Sequence, residues 1–228
     1  MLCASFAIAG ALAAASQIGA GTARENKANT TSAVPAAPEA ARSFAAGVPQ
    51  QGAVLGSPMA RVTLVEYADL QCPYCGQWAR ETLPVLLEDY VKTGKLRIVF
   101  NGLAFVGPDS VKALRTVIAA GRQDHLWDLV HSLYLNQGTE NTGWVTDELV
   151  NDLASQIPGL DPAKMLNARA HRDVDLEMKQ ATATAKAAGV GGTPAFQIGP
   201  TGGQLQAVQP TSLAPEGLVP AIETVLAQ

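Results

Sequence analysis

Residues 62–78, reading Val-Thr-Leu-Val-Glu-Tyr-Ala-Asp-Leu-Gln-Cys-Pro-Tyr-Cys-Gly-Gln-Trp, constrain this chain more than any other stretch. Val62, Leu64 and Val65 are apolar and mostly β-branched, as in a strand covered on both faces. Pro73 stands where a first helical residue needs no backbone N–H, and its φ is already helical. Cys72 therefore falls at a helix N-cap, and Cys75 lies one turn later, within reach of it. Unpaired N–H groups and the positive end of the helix dipole favour a thiolate at Cys72. The thiolate is the reactive species, and a thiol so placed in a Cys-x-x-Cys pair titrates below its free value of about 8.5. Cys72 is read as the nucleophile and Cys75 as the shielded, resolving thiol, the two joining as a redox disulfide.

Glu66 sits inside the apolar strand, six residues before Cys72. A carboxylate there is costly unless it is paired, protonated or useful. It either faces solvent at a strand edge or is a buried acid that accepts or relays the Cys75 proton through water; the second reading is adopted. Asp69 and Gln71 flank the motif and are explained equally well by shaping a peptide groove or by the needs of the turn.

The 228 residues are 47% hydrophobic and 16% charged, enough for one sizeable domain or a core domain carrying an insertion. A net charge of −4 with no basic stripe argues against nucleic acid as a partner. Three cysteines are too few for a disulfide-stapled scaffold, and two of them form the motif. Structural zinc needs four Cys or His ligands in paired sets. There is no second Cys-x-x-Cys, and His125, His131 and His171 all fall in one helical stretch, so no metal site is expected. His125 and His131 are read as surface or interhelical residues, and Trp78, Trp127, Tyr134 and Trp144 as core or groove.

Residues 1–23 carry no charge before Arg24 and read as a signal peptide or a retained N-terminal membrane anchor. Residues 24–50, polar and rich in Ala and Pro, read as a flexible linker. A folded part then runs over 51–103: an edge strand near Ala53, the strand and active-site helix from Arg61 to about Thr93 with a break at Pro84, and a second core strand from Lys95 to Phe100. Residues 104–188 show only helical spacing, with Ser110, Asp124, Thr146 and Asp161 as candidate caps. Residues 189–228 return to strands, a hairpin about 199–203 between Ala195 and Val208, and close on a helix from Pro215 to Ala227. The fold class is α/β: two halves of one sheet separated by an all-helical insertion.

Cys72-Pro-Tyr-Cys75 after a Val-Glu-Tyr strand, with Gly189-Val-Gly-Gly-Thr193-Pro194-Ala-Phe far downstream, resembles the DsbA-like thiol:disulfide oxidoreductases of the thioredoxin superfamily. The resemblance runs from about Gly56 to the C-terminus and includes Gly107-Pro-Asp-Ser110 and Trp127. Short glutaredoxins also carry Cys-Pro-Tyr-Cys but have no room for the helical block. The resemblance implies a thioredoxin-like fold, a cis Thr193–Pro194 peptide beside the cysteines, and a substrate-binding surface made of Pro73, Tyr74, Thr193 and Pro194. Thr193 would pair its backbone with an extended client strand.

The function implied is an exported enzyme that passes its Cys72–Cys75 disulfide to unfolded or reduced exported proteins and needs no cofactor. A membrane redox partner would recycle it. A monomer in the periplasm or cell envelope is expected, free or held by its N-terminus. The Pro-Tyr dipeptide places no cation beside Cys72, so a less oxidising potential is expected than in relatives with Pro-His. The alternatives are an extracytoplasmic reductase or isomerase, and a redox-silent chaperone or metal carrier built on the same fold.

Overall fold

The computed structural model describes residues 44–228. The stretch read as a signal peptide or anchor, and the first part of the linker, lie outside the described residues.

Among the described residues, six strands form one sheet in the order β1-β2-β4-β3-β5-β6. β3 (Val62–Asp69) and β4 (Leu96–Leu103) run parallel at its centre, paired from Val62 with Leu96 to Asp69 with Leu103. β5 (Ala195–Pro200) lies antiparallel against β3, placing Glu66 opposite Phe196, and β6 (Gln206–Val208) closes that side. β1 (Gln50–Gln51) and β2 (Val54–Leu55) make a short antiparallel pair on the other side of β4. Every residue of β3 is buried, Thr63, Glu66 and Asp69 among them, as in a central strand with helices on both faces.

A parallel pair needs a crossover, and here α1 (Pro73–Glu81) begins it. Pro84 divides the crossover: α1 ends at Thr82 and a new turn, α2 (Leu83–Leu86), holds the proline where its missing N–H costs nothing. A π-helical turn, Leu87–Val91, completes the segment. Between β4 and β5 come α3 (Pro108–Gly121), α4 (Leu126–Leu135), α5 (Asp147–Ser155), α6 (Pro162–Ala168) and α7 (Arg172–Ala187), with no strand among them. A 3₁₀ turn, Pro215–Gly217, and α8 (Val219–Leu226) end the chain where one continuous helix was expected.

Strand alternation divides the core. Val62, Leu64 and Ala68 belong to the large cluster that includes Trp78 of α1, Trp127 of α4 and Ile222 of α8, so the sheet and the insertion share one interior. Val65 and Tyr67 point the other way, against Ala185 of α7. Gly102 lets α3 approach closely, since a Cβ there would overlap the Leu114 side chain.

The expected linker boundary and two of the expected helix caps are corrected. The linker boundary at residue 50 is too late: Phe44, Ala45 and Val48 are buried, Phe44 stacks on His131 at 4.0 Å, and Asp128 accepts from the Ala45 N–H and the Gln50 side chain at 3.0 and 2.7 Å. A few apolar residues amid Ala and Pro suffice to dock this segment. Of the two places expected for His131, the surface one is excluded: it is buried, and loss of solvent pushes its pKa down to about 4. The last helix of the insertion, α7, bridges the other helices and the sheet. Near its start α7 ties to α3 through Arg115–Asp175 and Arg122–Glu177, but farther along Ala181 O accepts from Asn101 of β4 at 3.0 Å and Ala185 packs on the sheet.

Of the four candidate caps, Thr146 and Asp161 each accept from the N–H three residues on, at 3.0 Å in both cases. Ser110 and Asp124 do not cap: α3 starts after Gly107, leaving Ser110 in its first turn, and Asp124 takes a positive φ of 59° while accepting from Gly52 N–H.

If residues 44–50 are structural, Phe44→Ala lowers unfolding stability by about 3 kcal/mol. Chemical denaturation measures this; a spacer would give no change.

Candidate active site

The site is assembled at the end of the sheet where β3 and β4 both terminate. Cys72 is the N-cap of α1, with extended backbone (φ −65°, ψ 119°), and its Sγ accepts from the Cys75 N–H at 3.4 Å. The Cys72 thiol also lies 3.3 Å from the Thr193 carbonyl, to which it donates. Thr193 and Pro194, 121 and 122 residues farther along, reach it because β5 pairs with β3 and the segment before β5 therefore ends beside α1. The Thr193–Pro194 peptide is cis. Both cysteines are free thiols, Cys72 at 6% exposure and Cys75 fully buried. Pro73 and Tyr74 face solvent, Tyr74 at 63% exposure.

The two sulfurs sit in opposite electrostatic settings. A hydrogen bond from the Cys75 thiol, together with hydrogen bonding at Thr193 and to the Cys75 and Tyr74 backbone, brings the Cys72 thiol down from 9.0 to about 6 against the opposing effect of burial. Burial pushes the Cys75 thiol well above its ordinary value, and the charges of Cys72 and Glu66 push it the same way. One thiolate and one thiol is thus the resting form of the reduced pair near neutral pH.

Glu66 is fully buried on the α1 side of β3. Its cross-strand partner Phe196 packs on Trp78 of α1 at 5.3 Å, which encloses the carboxyl in an apolar chamber beneath the cysteines. Neither carboxyl oxygen has a protein hydrogen-bond partner, and burial, followed by the Cys72 charge, raises its pKa well above 4.5. The solvent-facing alternative for Glu66 does not hold. Tyr134 of α4 lies in the same surroundings, fully buried, its hydroxyl donating to Asp69 O at 3.2 Å and its pKa raised by burial.

Several residues that sequence reasoning left as turn residues, or did not single out, build the walls. Asp69 is fully buried and accepts from Gln71 N–H (2.9 Å), Phe105 N–H (2.9 Å), Val106 N–H (3.1 Å) and Ser110 Oγ (2.6 Å). The Gln71 side chain donates to Ser110 Oγ and Asn141 Oδ1 and accepts from Asn141 N–H. Gln137 Nε2 donates to the carbonyls of both Leu70 and Cys72, 3.0 Å each. Position beside the motif was a signal for Asp69 and Gln71; Gln137 and Asn141 had none, being polar residues in a loop 65 or more positions away.

This arrangement defines a class: a thioredoxin-fold protein with a reactive dithiol at a helix start and a proline loop beside it. The thioredoxin family model matches residues 49–207. Probable disulfide bond formation protein D of Bacillus anthracis is 28% identical over 147 residues, 63% of this chain and 68% of that protein. The structure of oxidised BdbD from Bacillus subtilis superposes with a TM-score of 0.68 at 21% identity, over 79% of this chain and 98% of that one. Wolbachia pipientis alpha-DsbA1 gives 0.66 at 17% identity, over 77% and 90%. The chain belongs to the thioredoxin family, as a thiol:disulfide oxidoreductase whose fold is the one seen in the BdbD and alpha-DsbA1 structures.

Two outcomes follow from the ionisation pattern. Alkylation of the reduced protein at Cys72 rises to its plateau through pH about 6, whereas an unperturbed thiol would still be rising toward 9.0; a pH–rate profile with iodoacetamide measures it. For Glu66 the folded pKa is raised, so its contribution to stability is present below 4.5 and is lost as pH rises toward the elevated folded value. Glu66→Gln removes that loss. Its stability relative to the wild type should climb by up to about 1.4 kcal/mol per pH unit above the unfolded value, read by denaturant melts across pH; a flat difference contradicts it.

Proposed function

We propose that this protein works outside the cytoplasm as a donor of disulfides to reduced, unfolded client proteins. A client thiolate attacks Cys72 Sγ; the Cys72–Cys75 bond breaks, its electron pair stays on Cys75, and a client–Cys72 mixed disulfide forms. The second client thiolate then attacks the client sulfur of that bond, and Cys72 leaves as a thiolate. Two electrons pass from client to enzyme, and the client gains one disulfide. Cys75, with its raised pKa, must take a proton as it leaves. Glu66, whose pKa burial also raises, sits close by and hands the proton over through water, taking it back when the enzyme is reoxidised.

The observation that carries this reading is the acid Cys72 at the start of α1. A thiolate stabilised only in the reduced enzyme favours that state and makes the disulfide easy to give away. Exposed Pro73 and Tyr74, together with Thr193 and Pro194, offer the client an open approach, and the Thr193 backbone beside Cys72 suits an extended segment. The disulfide bond formation name of the Bacillus anthracis relative supports the same direction. Recycling falls to a membrane-bound redox partner. No helix among the described residues is long and apolar enough to cross a membrane.

Trapping free thiols in intact cells tests the direction of flow: the pair is expected mostly oxidised, and a mostly reduced pair would assign the protein to reduction or isomerisation. Cys72→Ser should abolish oxidation of a reduced model client. Retained oxidation in that variant would remove Cys72 from the chemistry.

A further inference from the structure

The insertion sends one side chain to the reactive turn itself. Gln137, the second residue beyond α4, lies half-buried against the first turn of α1. Its amide nitrogen donates to Leu70 O and Cys72 O, 3.0 Å each, bridging the turn on both sides of Gln71. With both hydrogens of the amide so used, the amide orientation is set by its partners. Cys72 O is also the acceptor for Gly76 N–H at 3.0 Å, the first bond of the helix. A single amide therefore holds the carbonyl that starts α1 and the carbonyl that ends the approach from β3.

Gly76 completes the arrangement. A Cβ on Gly76 would overlap Gln137 Oε1 and come within 2.8 Å of Arg80 Nη1, whose guanidinium donates to Tyr134 O at 2.8 Å. The overlapped atom is the end of a side chain, so an alanine would displace the amide rather than the helix. In an α-helix interior glycine is less favourable than alanine. Its presence in a buried first turn has a local reason here: it leaves room for Gln137.

We propose that Gln137 is a positioning residue for thiol–disulfide exchange, fixing the Leu70–Cys72 turn so that the Cys72 sulfur stays on the Cys75 N–H, and that Gly76 is glycine to admit it. This rests on the reading of Cys72 as the exchanging thiol. The insertion thereby tunes the redox pair directly, from a loop that touches neither sulfur. If the amide is lost, the turn loosens, the 3.4 Å contact from Cys75 N–H to Cys72 Sγ is no longer held, and the thiolate loses a donor.

The test is a double-mutant cycle on the full chain with Gln137→Met, which keeps length and volume but cannot donate, and Gly76→Ala. The readouts are the Cys72 titration, followed by ultraviolet absorbance of the thiolate, and the equilibrium with a glutathione redox buffer. Each single variant should raise the Cys72 pKa by about one unit, a roughly tenfold smaller thiolate fraction at low pH, and shift the glutathione equilibrium toward the protein disulfide by a similar factor. Gly76→Ala should add little in the Gln137→Met background. A thermal melt separates this from plain destabilisation, since alanine favours the helix while the redox readouts move against it. Unchanged titration and equilibrium in both variants, or fully additive effects, would overturn the proposal. If Gln137→Met fails to fold, Gly76→Ala alone decides through the same readouts. A wild-type Cys72 titrating near 9.0 would instead overturn the underlying reading of the site, a result distinguishable from failure of the Gln137 role.

Discussion

A buried carboxylate at the end of the central strand holds this molecule together at its working end. Asp69 accepts from two backbone N–H groups of the loop after β4, from the Ser110 hydroxyl in the first turn of α3, and from Gln71 N–H on the way to Cys72. A charge removed from water is strongly unfavourable unless donors replace the lost hydration, and here four do so. Those donors come from three segments that must be in place together. Asp69 therefore makes the path of the active-site turn conditional on the entry to the insertion, and the entry conditional on the turn.

On that frame the two cysteines are separated electrically though only three residues apart. Cys72, at the open end of α1, collects donors that its thiolate can use. Cys75 is buried one turn deeper, above a carboxyl without hydrogen-bond partners, and is held neutral. The uncompensated burial of Glu66 looks wasteful for stability, because replacing it would relieve a desolvation cost. In the proposed mechanism its value is chemical: a buried acid and a buried thiol, each with a raised pKa, pass a proton between them without either being driven fully ionised.

How much of this was legible in the sequence depended on the range of the forces involved. The strand before Cys72, the Pro73 start of α1, the break at Pro84 and the caps at Thr146 and Asp161 follow from local sterics and hydrogen bonding, which a short window contains. Ser110 and Asp124 have the same cap chemistry, yet each is captured by a partner outside its own helix, Asp69 and Gly52 respectively. Phe44 was hidden by the Ala- and Pro-rich residues around it, because one aromatic ring docked on His131 outweighs a composition that cannot form a core by itself. Gln137 and Asn141 act through hydrogen bonds to residues 65 to 70 positions earlier, and nothing in periodicity or composition marks such a bond. The paired half of the site, Cys72 with Thr193, crosses a still longer span; it was legible through the resemblance, not through any local rule.

The helical block is for the same reason more than a lid added to a thioredoxin-like core. Its α4 packs on α1, Arg80 of α1 donates to Tyr134 O, and the Tyr134 hydroxyl returns to Asp69 O. Its α4–α5 loop supplies Gln137 and Asn141 to the turn before Cys72, and Asp109 of α3 anchors the far end of that loop through Gly143 and Trp144 N–H at 2.8 and 3.2 Å. If the block were removed, Asp69 and Gln71 would be left with unsatisfied buried groups, and the large cluster containing Trp78 would be opened to water. Each such group costs on the order of 1–3 kcal/mol, a large share of the 5–15 kcal/mol that stabilises an ordinary domain. Site and insertion are thus one cooperative unit: the turn that carries Cys72 is held in position by residues that reach it only when the helices are folded.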